Sequence, residues 1–384
     1  MSVLDGATIL TAAQQLEQDF VEGLEHLVTL ESPSLDAEAG DRLADALETW
    51  MTREGWRVER LARSEAGDLL VGRMGGEPDG TGTLLLAHYD TVWPLGTLAE
   101  MPFERDGDVA RGPGTVDMKA GIVTALLAVR LARSLGDMKG PVSLLVTSDE
   151  ETGGTHSRTV IEEEAQRHAR VLVVEPGADE GAYKVGRKGV GDVQVSFTGI
   201  SAHAGLEPEK GASALRELAA FLPFAESLSA PEVGTTVNVT VASGGSTGNV
   251  IAESARASLD VRVLRMDEGT RVMEALHGYA PRDPRVKVHV SGGLNRPPLE
   301  ATEPNRVLTA EAERVANTLG LPWRVAVVGG ASDGNFTSAL GIATLDGLGS
   351  VGEGAHARHE HVRISATLDR VALMAGLLLG VGTA

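Results

Sequence analysis

Apolar residues recur at helical spacing through residues 11–31, and Thr11 stands where a side chain caps such a helix. A second helical stretch runs from about Leu35 to Arg53 and is expected to stop at Gly55. The period then shortens into the strand-like runs WRVERL, DLLVGR and TLLLAH, with GGEPDGTG (75–82) as a turn between two of them. An Ala- and Leu-rich helix is predicted from Met118 to Leu135. VSLLVTSD (142–149) and VLVVE (171–175) are unbroken apolar runs, the pattern of strands covered on both faces, and a polar helix ending near Glu164 separates them. This βαβα alternation predicts an α/β fold, a sheet with helices on both faces.

Past Gly189 the period changes. VGDVQVSFTGI (190–200) alternates apolar and polar residues, as a strand exposed on one side does. A helix over 212–228, the strands TVNVTVAS and ARASLDVRVL, a short helix near 268–279 and VKVHVSGG complete a β-α-β-β-α-β string, the ferredoxin-like order. After Pro297 and Pro298 the first pattern returns with a helix over 304–319, RVAVVGG, a short helix, IATLDGLG and a last helix. The expected organisation is one α/β domain, 1–188 and 299–384, interrupted by an inserted α+β domain, 189–298.

Composition narrows the function. The chain has 384 residues, enough for two domains, and 42% apolar against 23% charged residues is a globular balance. Its net charge of −20 argues against nucleic acid and anionic membranes as partners, because the summed field repels both. There is no cysteine, which excludes disulfides, a thiol nucleophile and thiolate metal sites. Any metal must be held by His, Asp and Glu. The first residues lack a basic segment followed by an apolar one, and the run Val371–Val381 is about half the ~20 residues a spanning helix needs. A cytoplasmic location is therefore expected.

The acids and histidines fall at strand ends. His88 ends LLLAH, Glu150 and Glu151 follow VSLLVTSD, Glu175 ends VLVVE, Asp117 precedes the MKAG helix and His356 lies beyond IATLDGLG. Ligands of open α/β sheets bind outside the carboxyl ends of the strands. Taken singly, each residue has a plainer reading: a structural histidine, an N-cap at Asp117, a solvated turn at the two glutamates. Glu175 resists such a reading, since a carboxylate closing a buried strand must be paired, metal-bound or neutralised. Together, two histidines and four carboxylates at equivalent strand ends match what a two-metal site of oxygen and nitrogen donors requires. Asp90, two residues past His88, is placed to orient its imidazole.

In this order AHYDTVWP, RGPGTVDMKAG, TSDEETGG, VVEPG, SAHAG and GAHARHEHV resemble the motifs of the M20 metallopeptidases, most closely the glutamate carboxypeptidase (carboxypeptidase G2) branch, over about Thr83 to Val362. The resemblance implies a di-zinc catalytic domain carrying an inserted lid that also mediates homodimerisation. It makes His88 and His356 ligands of different metals, Asp117 the bridge, Glu175 a ligand beside His88 and Glu151 a ligand beside His356. Two Zn²⁺ per chain are expected, with Co²⁺ or Mn²⁺ as substitutes. Glu150 is then the general base, Asp90 supports His88, and His203 in SAHAG stabilises the oxyanion in the neighbouring subunit's site. Of His356, His359 and His361, the first is chosen because Glu360 follows it as an acid follows the family's histidine.

Arg262, Arg296 and Asn249 match positions that bind a terminal glutamate in that branch, and planar guanidinium groups suit a dicarboxylic residue. Their plainer readings are a surface strand, a hinge and a turn. The expected activity is removal of a C-terminal amino acid, glutamate above all, from a peptidyl or N-acyl group. An N-acyl amino acid deacylase of the acetylornithine deacetylase or succinyl-diaminopimelate desuccinylase type would use the same centre. A non-catalytic dimeric peptide-binding protein would be expected to have lost Glu150 or a ligand, and all are present. No phosphate-loop or nucleophile-elbow motif occurs.

Overall fold

A computed structural model of the chain describes residues 5–382. The chain forms two compact units, residues 5–185 with 301–328 and 332–382, and residues 186–300 with 329–331.

The first unit is built on a mixed six-stranded sheet in the order Arg57–Leu61, Leu69–Met74, Val142–Thr147, Thr83–His88, Arg170–Val173, Ala343–Leu345. The last four are mutually parallel and the first two antiparallel to their neighbours. Every position of Leu69–Met74, Thr83–His88 and Val142–Thr147 is buried, which is why their sequences do not alternate. The side chains still divide by face. Leu70, Leu85, Leu144 and Val146 join the larger core with helices Ala120–Leu135 and Ile364–Leu379. Val71, Leu84, Leu86 and Leu145 pack on the other side with Ile161 and Phe336. Because the central strands are parallel, their carboxyl ends share one edge, and His88 pairs in register with Thr147.

Two expectations fail. The single helix over 11–31 capped by Thr11 is instead two helices, Gly6–Gln14 and Glu17–Val28, and the carboxylate of Asp5 caps the first by accepting from the Ala7 amide. Thr11 lies inside that first helix. RVAVVGG does not enter the main sheet: Val325–Val328 pairs with Tyr183–Arg187 in a separate two-stranded ribbon, and the exposure of Val325 and Val327 shows why a doubly covered position does not suit it. The next helix, by contrast, is Ala37–Arg53, capped by Asp36 and ended at Gly55 in the left-handed region (φ +89°). A small antiparallel sheet not foreseen from the pattern, Gly352–Glu353, His361–Arg363, Val109–Arg111 and Glu104–Asp106, sets the segment around His356 beside the loop that leads to Asp117.

The second unit has four antiparallel strands in the order Thr236–Gly244, Ser254–Val263, Gly189–Thr198, Lys287–Arg296. With helices Ala214–Glu226 and Met266–His277 this is the β-α-β-β-α-β arrangement. Val193, Val195 and Phe197 turn into a core shared with Phe221, Val272 and Leu276, while the alternate residues Asp192, Gln194, Ser196 and Thr198 are exposed. Among the described residues no helix is long and apolar enough to cross a membrane.

Candidate metal centre

His88 closes its strand with its side chain buried. Its Nδ1 lies 3.0 Å from the carbonyl oxygen of Asp90, which can only accept, so Nδ1 carries a proton and Nε2 is the position open to a proton or a cation. That Nε2 is buried without a hydrogen-bond partner. It faces Glu175 Oε1 at 3.3 Å, Asp117 Oδ1 at 3.4 Å and Glu150 Oε2 at 3.9 Å. Burial works against charging the ring, but the carboxylates of Asp117, Asp90 and Glu175 outweigh it and hold His88 well above its ordinary pKa. A cluster that attracts a proton so strongly attracts a cation for the same reason.

Asp117 lies between two histidines. Its second oxygen, Oδ2, is 3.3 Å from His356 Nε2, which is also 3.1 Å from Glu151 Oε1. Burial would raise the Asp117 pKa, yet His356 and His88 hold it well below the usual carboxylate range. Asp117 and Glu151 in turn push His356 up to about 10. Glu151 itself is raised by burial, with His356 opposing the rise. Two groups able to hold a cation result, His88–Asp117–Glu175 and Asp117–Glu151–His356, sharing Asp117. Among the three clustered histidines, His356 is the one brought to the carboxylates; His361 turns its Nδ1 to the carbonyl oxygen of His359. His356 sits at φ +62°, a left-handed backbone that few non-glycine residues adopt and that ligand sites tend to hold.

Local sequence explains the convergence. A Cβ at Gly114 (φ +71°) would stand 2.6 Å from Thr91, and one at Gly121 would stand 2.0 Å from the carbonyl oxygen of Val174. Glycines there let the Asp117 loop approach the end of the His88 strand and let the following helix approach the end of the Glu175 strand. The two glutamates are positioned through their backbone: Asp90 accepts from the Glu150 amide (3.1 Å) and the Glu151 amide (3.2 Å). Ser34 donates to the same carboxylate at 2.7 Å. Asp90 thus braces His88 and the glutamate turn together.

Sequence reasoning missed Ser34, Trp93 and the work of Glu360. Buried Glu360 accepts from the Gly114, Val116 and Asp117 amides and from the Trp93 indole. Burial pushes it up to about 7 against the pull of those donors. Only the spacing of Glu360 after His356 hinted at it. Buried Lys119, two residues past Asp117, donates to the carbonyl of Leu30 at 2.8 Å, and burial brings it down to about 7.

The remaining candidates belong to the second unit. His203 is exposed, and its Nδ1 accepts from the Gly205 and Leu206 amides, both at 3.1 Å, which leaves Nε2–H as an outward donor. The carbonyl of Asn249 accepts from the Ala204 amide and His203 bridges to Val250, so the structure brings Asn249 beside His203. Arg262 and Arg296 both take Val190 as cross-strand partner, from its two sides. Arg296 is buried, whereas the partly exposed Arg262 is bound by Asp260, its Nε donating to both carboxylate oxygens at 3.0 Å.

Residues 84–380 match peptidase family M20/M25/M40. Carboxypeptidase G2 of Pseudomonas sp. (strain RS-16) is 33% identical, the match covering 97% of this chain and 92% of that protein. Succinyl-diaminopimelate desuccinylase of Gluconobacter oxydans (strain 621H) is 30% identical over 77% of this chain and 80% of its own. The crystal structure of aminopeptidase PepT from Bacillus cereus ATCC 10987 superposes with a TM-score of 0.76 at 21% identity, covering 95% of this chain and 98% of that one. The chain belongs to peptidase family M20/M25/M40 and is an amide hydrolase of that family.

Proposed function

We propose that the protein is a two-metal carboxypeptidase that hydrolyses the amide bond of a C-terminal amino acid, glutamate above all, in a peptidyl or N-acyl substrate. The observation that carries the reading is the Asp117 carboxylate, held with one oxygen toward each of two histidines that each have a further carboxylate. The donor set fits a pair of zinc-class cations: imidazole nitrogen and carboxylate oxygen only, with a buried imidazole Nε2 that no hydrogen bond satisfies. His88, Glu175 and Asp117 would hold one, and His356, Glu151 and Asp117 the other, with Zn²⁺ favoured and Co²⁺ or Mn²⁺ as substitutes. Two such cations supply Lewis acidity toward a water and toward the scissile carbonyl.

The chain's own residues do the rest. Glu150 belongs to neither donor group, yet its carboxylate reaches within 3.9 Å of His88 Nε2. That position supports a role in taking the proton of the attacking water and returning it to the leaving amine. Asp90 holds the amides of Glu150 and Glu151 on different oxygens, which supports separate roles for the two. His203, with Nδ1 occupied, offers a neutral N–H to an oxyanion. We place it in the partner's site of a homodimer formed through a lid, residues 189–298. The catalytic domain is then 1–188 with 299–384. Arg262, Arg296 and Asn249 would read the terminal residue, and a cytoplasmic location suits a chain with no spanning helix among its described residues.

A second reading, an N-acyl amino acid deacylase, is favoured by the desuccinylase likeness and by the engagement of Arg262 with Asp260. One experiment separates them. The zinc-loaded protein is incubated with matched acyl-glutamate, acyl-glutamine and acyl-alanine substrates, and the products are identified by mass spectrometry. Preference for acyl-glutamate is expected, with about two zinc ions per chain and activity lost on chelation. Equal rates on all three reject the glutamate claim, and full activity in excess chelator rejects the metal mechanism. For the subunit arrangement, inactive His203→Ala and Glu150→Gln chains should regain partial activity as heterodimers, and none in confirmed heterodimers rejects action across subunits.

A further inference from the structure

We propose that Glu360 is the positioning residue of the metal centre: its carboxylate fixes the backbone of residues 114–117, and so the place of the Asp117 side chain between His88 and His356. The proposal rests on reading that centre as a cation site. An ionised carboxylate offers about four acceptor directions and no donor. All four are used here. Oε1 accepts from Val116 (2.9 Å) and Asp117 (3.2 Å), and Oε2 accepts from Gly114 (2.9 Å) and from the Trp93 indole (2.8 Å). The residue is 1% exposed, so water does not compete for these bonds.

Three of the donors are backbone groups of one irregular segment, entered through left-handed Gly114 and forming the start of a single distorted π-helical turn, Thr115–Lys119, where the first amides of a helix have no partner within it and meet Glu360 instead. The fourth, Trp93, follows the His88–Asp90 segment, and Glu360 itself lies four residues beyond His356. One buried side chain therefore ties together the three segments that carry His88, Asp117 and His356. It belongs to neither donor group. Its action is on where the shared carboxylate stands, not on the cations themselves.

The Glu360→Gln substitution keeps the shape and replaces one acceptor oxygen by an NH₂ group. Whichever way the amide turns, that NH₂ faces two N–H donors, so one side of the loop loses its anchor. The test uses the full chain, stripped of metal and titrated with Co²⁺, reading affinity by calorimetry and donor geometry by the cobalt visible absorption. Circular dichroism and thermal unfolding report the fold. We expect wild type to take up two Co²⁺ per chain and folded Glu360→Gln to bind roughly 10–100-fold more weakly with displaced cobalt bands, the range for partners that orient metal ligands. Trp93→Phe, which removes one donor of four, should weaken binding measurably, by less than about 10-fold, and shift the cobalt bands in the same direction. A residue of merely structural importance would lower the unfolding temperature and leave affinity and spectrum alone. Folded Glu360→Gln with wild-type affinity and bands overturns the proposal. Should that variant not fold, unchanged affinity and bands in Trp93→Phe overturn it. Wild type that binds no cobalt overturns the metal reading itself, a separate result.

Discussion

The candidate residues of the two units differ in how far the surrounding structure holds them. In the first unit His88, Asp117, Glu150 and Glu175 are buried or nearly so, and each histidine faces acids that perturb it strongly. Such an arrangement is expensive to maintain without a cation, because several carboxylates are gathered where water is scarce. Asp90, Ser34 and Glu360 hold the centre in place through backbone amides and a hydroxyl. In the second unit His203 and Asn249 are exposed, and Arg262 already has Asp260 as its partner. The first set is pinned before any substrate arrives. Of the second set, Arg262 must exchange partners and His203 must meet a ligand to act, while Arg296 is buried, so the proposed specificity would rest in part on weaker and more easily altered interactions than the proposed chemistry does.

The largest effect should come from the glutamate pair, where the contrast between adjacent residues is greatest. Glu150→Gln should keep its metal and lose about 10²–10⁴-fold in turnover, the scale of general-base loss. Glu151→Gln should bind metal more weakly, since Glu151 is the carboxylate in contact with His356. Metal content and kcat measured on both variants decide this. Equal metal loss in the two, with turnover kept in Glu150→Gln, would reverse the assignment and leave Asp90 with no reason to hold their amides apart.

In the second unit smaller effects are expected. A bidentate charge-assisted pair contributes roughly 1.5–3 kcal/mol, equivalent to about 10–100-fold in kcat/KM. Arg262 must give up the Asp260 carboxylate to meet a substrate carboxylate, so the net gain is smaller and Arg262→Ala should fall near the 10-fold end on acyl-glutamate. Arg296 is buried, so a pair it makes with a substrate carboxylate is less screened by water, and Arg296→Ala should fall nearer 100-fold. Acyl-alanine should respond less to the arginine that reads the side-chain carboxylate. Kinetics of both variants on the two substrates test the ranking, and an Arg262 effect equal to that of Arg296 would show that Asp260 is no competitor.

The same contrast governs what can be read from sequence. The buried strands announce themselves because a doubly covered strand must be apolar throughout, and the charges at their ends are conspicuous for that reason. Parallel pairing then places His88, Glu150 and Glu175 at one edge, so the convergence follows from alternation alone. Asp117 and His356 depend on loops and on a small sheet that joins 109–111 to 361–363, pairings no local pattern encodes. Glu360 was visible only as an acid spaced after a histidine, because its partners are backbone amides and every residue type carries one. The Asp260 contact was open to inspection, two residues from Arg262 on the same strand face, but a charge pair at that spacing does not say which ligand it awaits. The misplaced first helix has a simpler cause. Thr11 is a good capping residue, but Asp5 takes that role nearly two turns earlier.

The smallest predicted effect tests how the first unit tolerates its acids when no cation is bound. In the metal-free protein His356 is raised from 6.5 to about 10 by Asp117 and Glu151. A histidine whose folded pKa lies above its unfolded value binds its proton more tightly in the native state, so its contribution is fully present below pH 6.5 and is lost as pH rises through about 10. His88 is shifted in the same direction. The histidine contribution should therefore fall progressively between these limits, as the imidazolium that separates Asp117 from Glu151 loses its charge, and it is read as the slope that wild type shows beyond that of His356→Gln. About half of the His356 side chain is exposed, so solvent screening keeps the fall modest. Saturating Zn²⁺ should remove this dependence, since the cation takes the place of the proton and binds more tightly as pH rises. His356→Gln should also flatten the metal-free curve, but at a lower starting temperature. Thermal unfolding from pH 6 to 10, with and without Zn²⁺, measures all three curves. Buried Lys119, brought down to about 7, contributes in the opposite sense from pH 7 upward, so the difference between wild type and His356→Gln isolates the histidine: if the two metal-free curves have the same slope, His356 is not a group that compensates the acids.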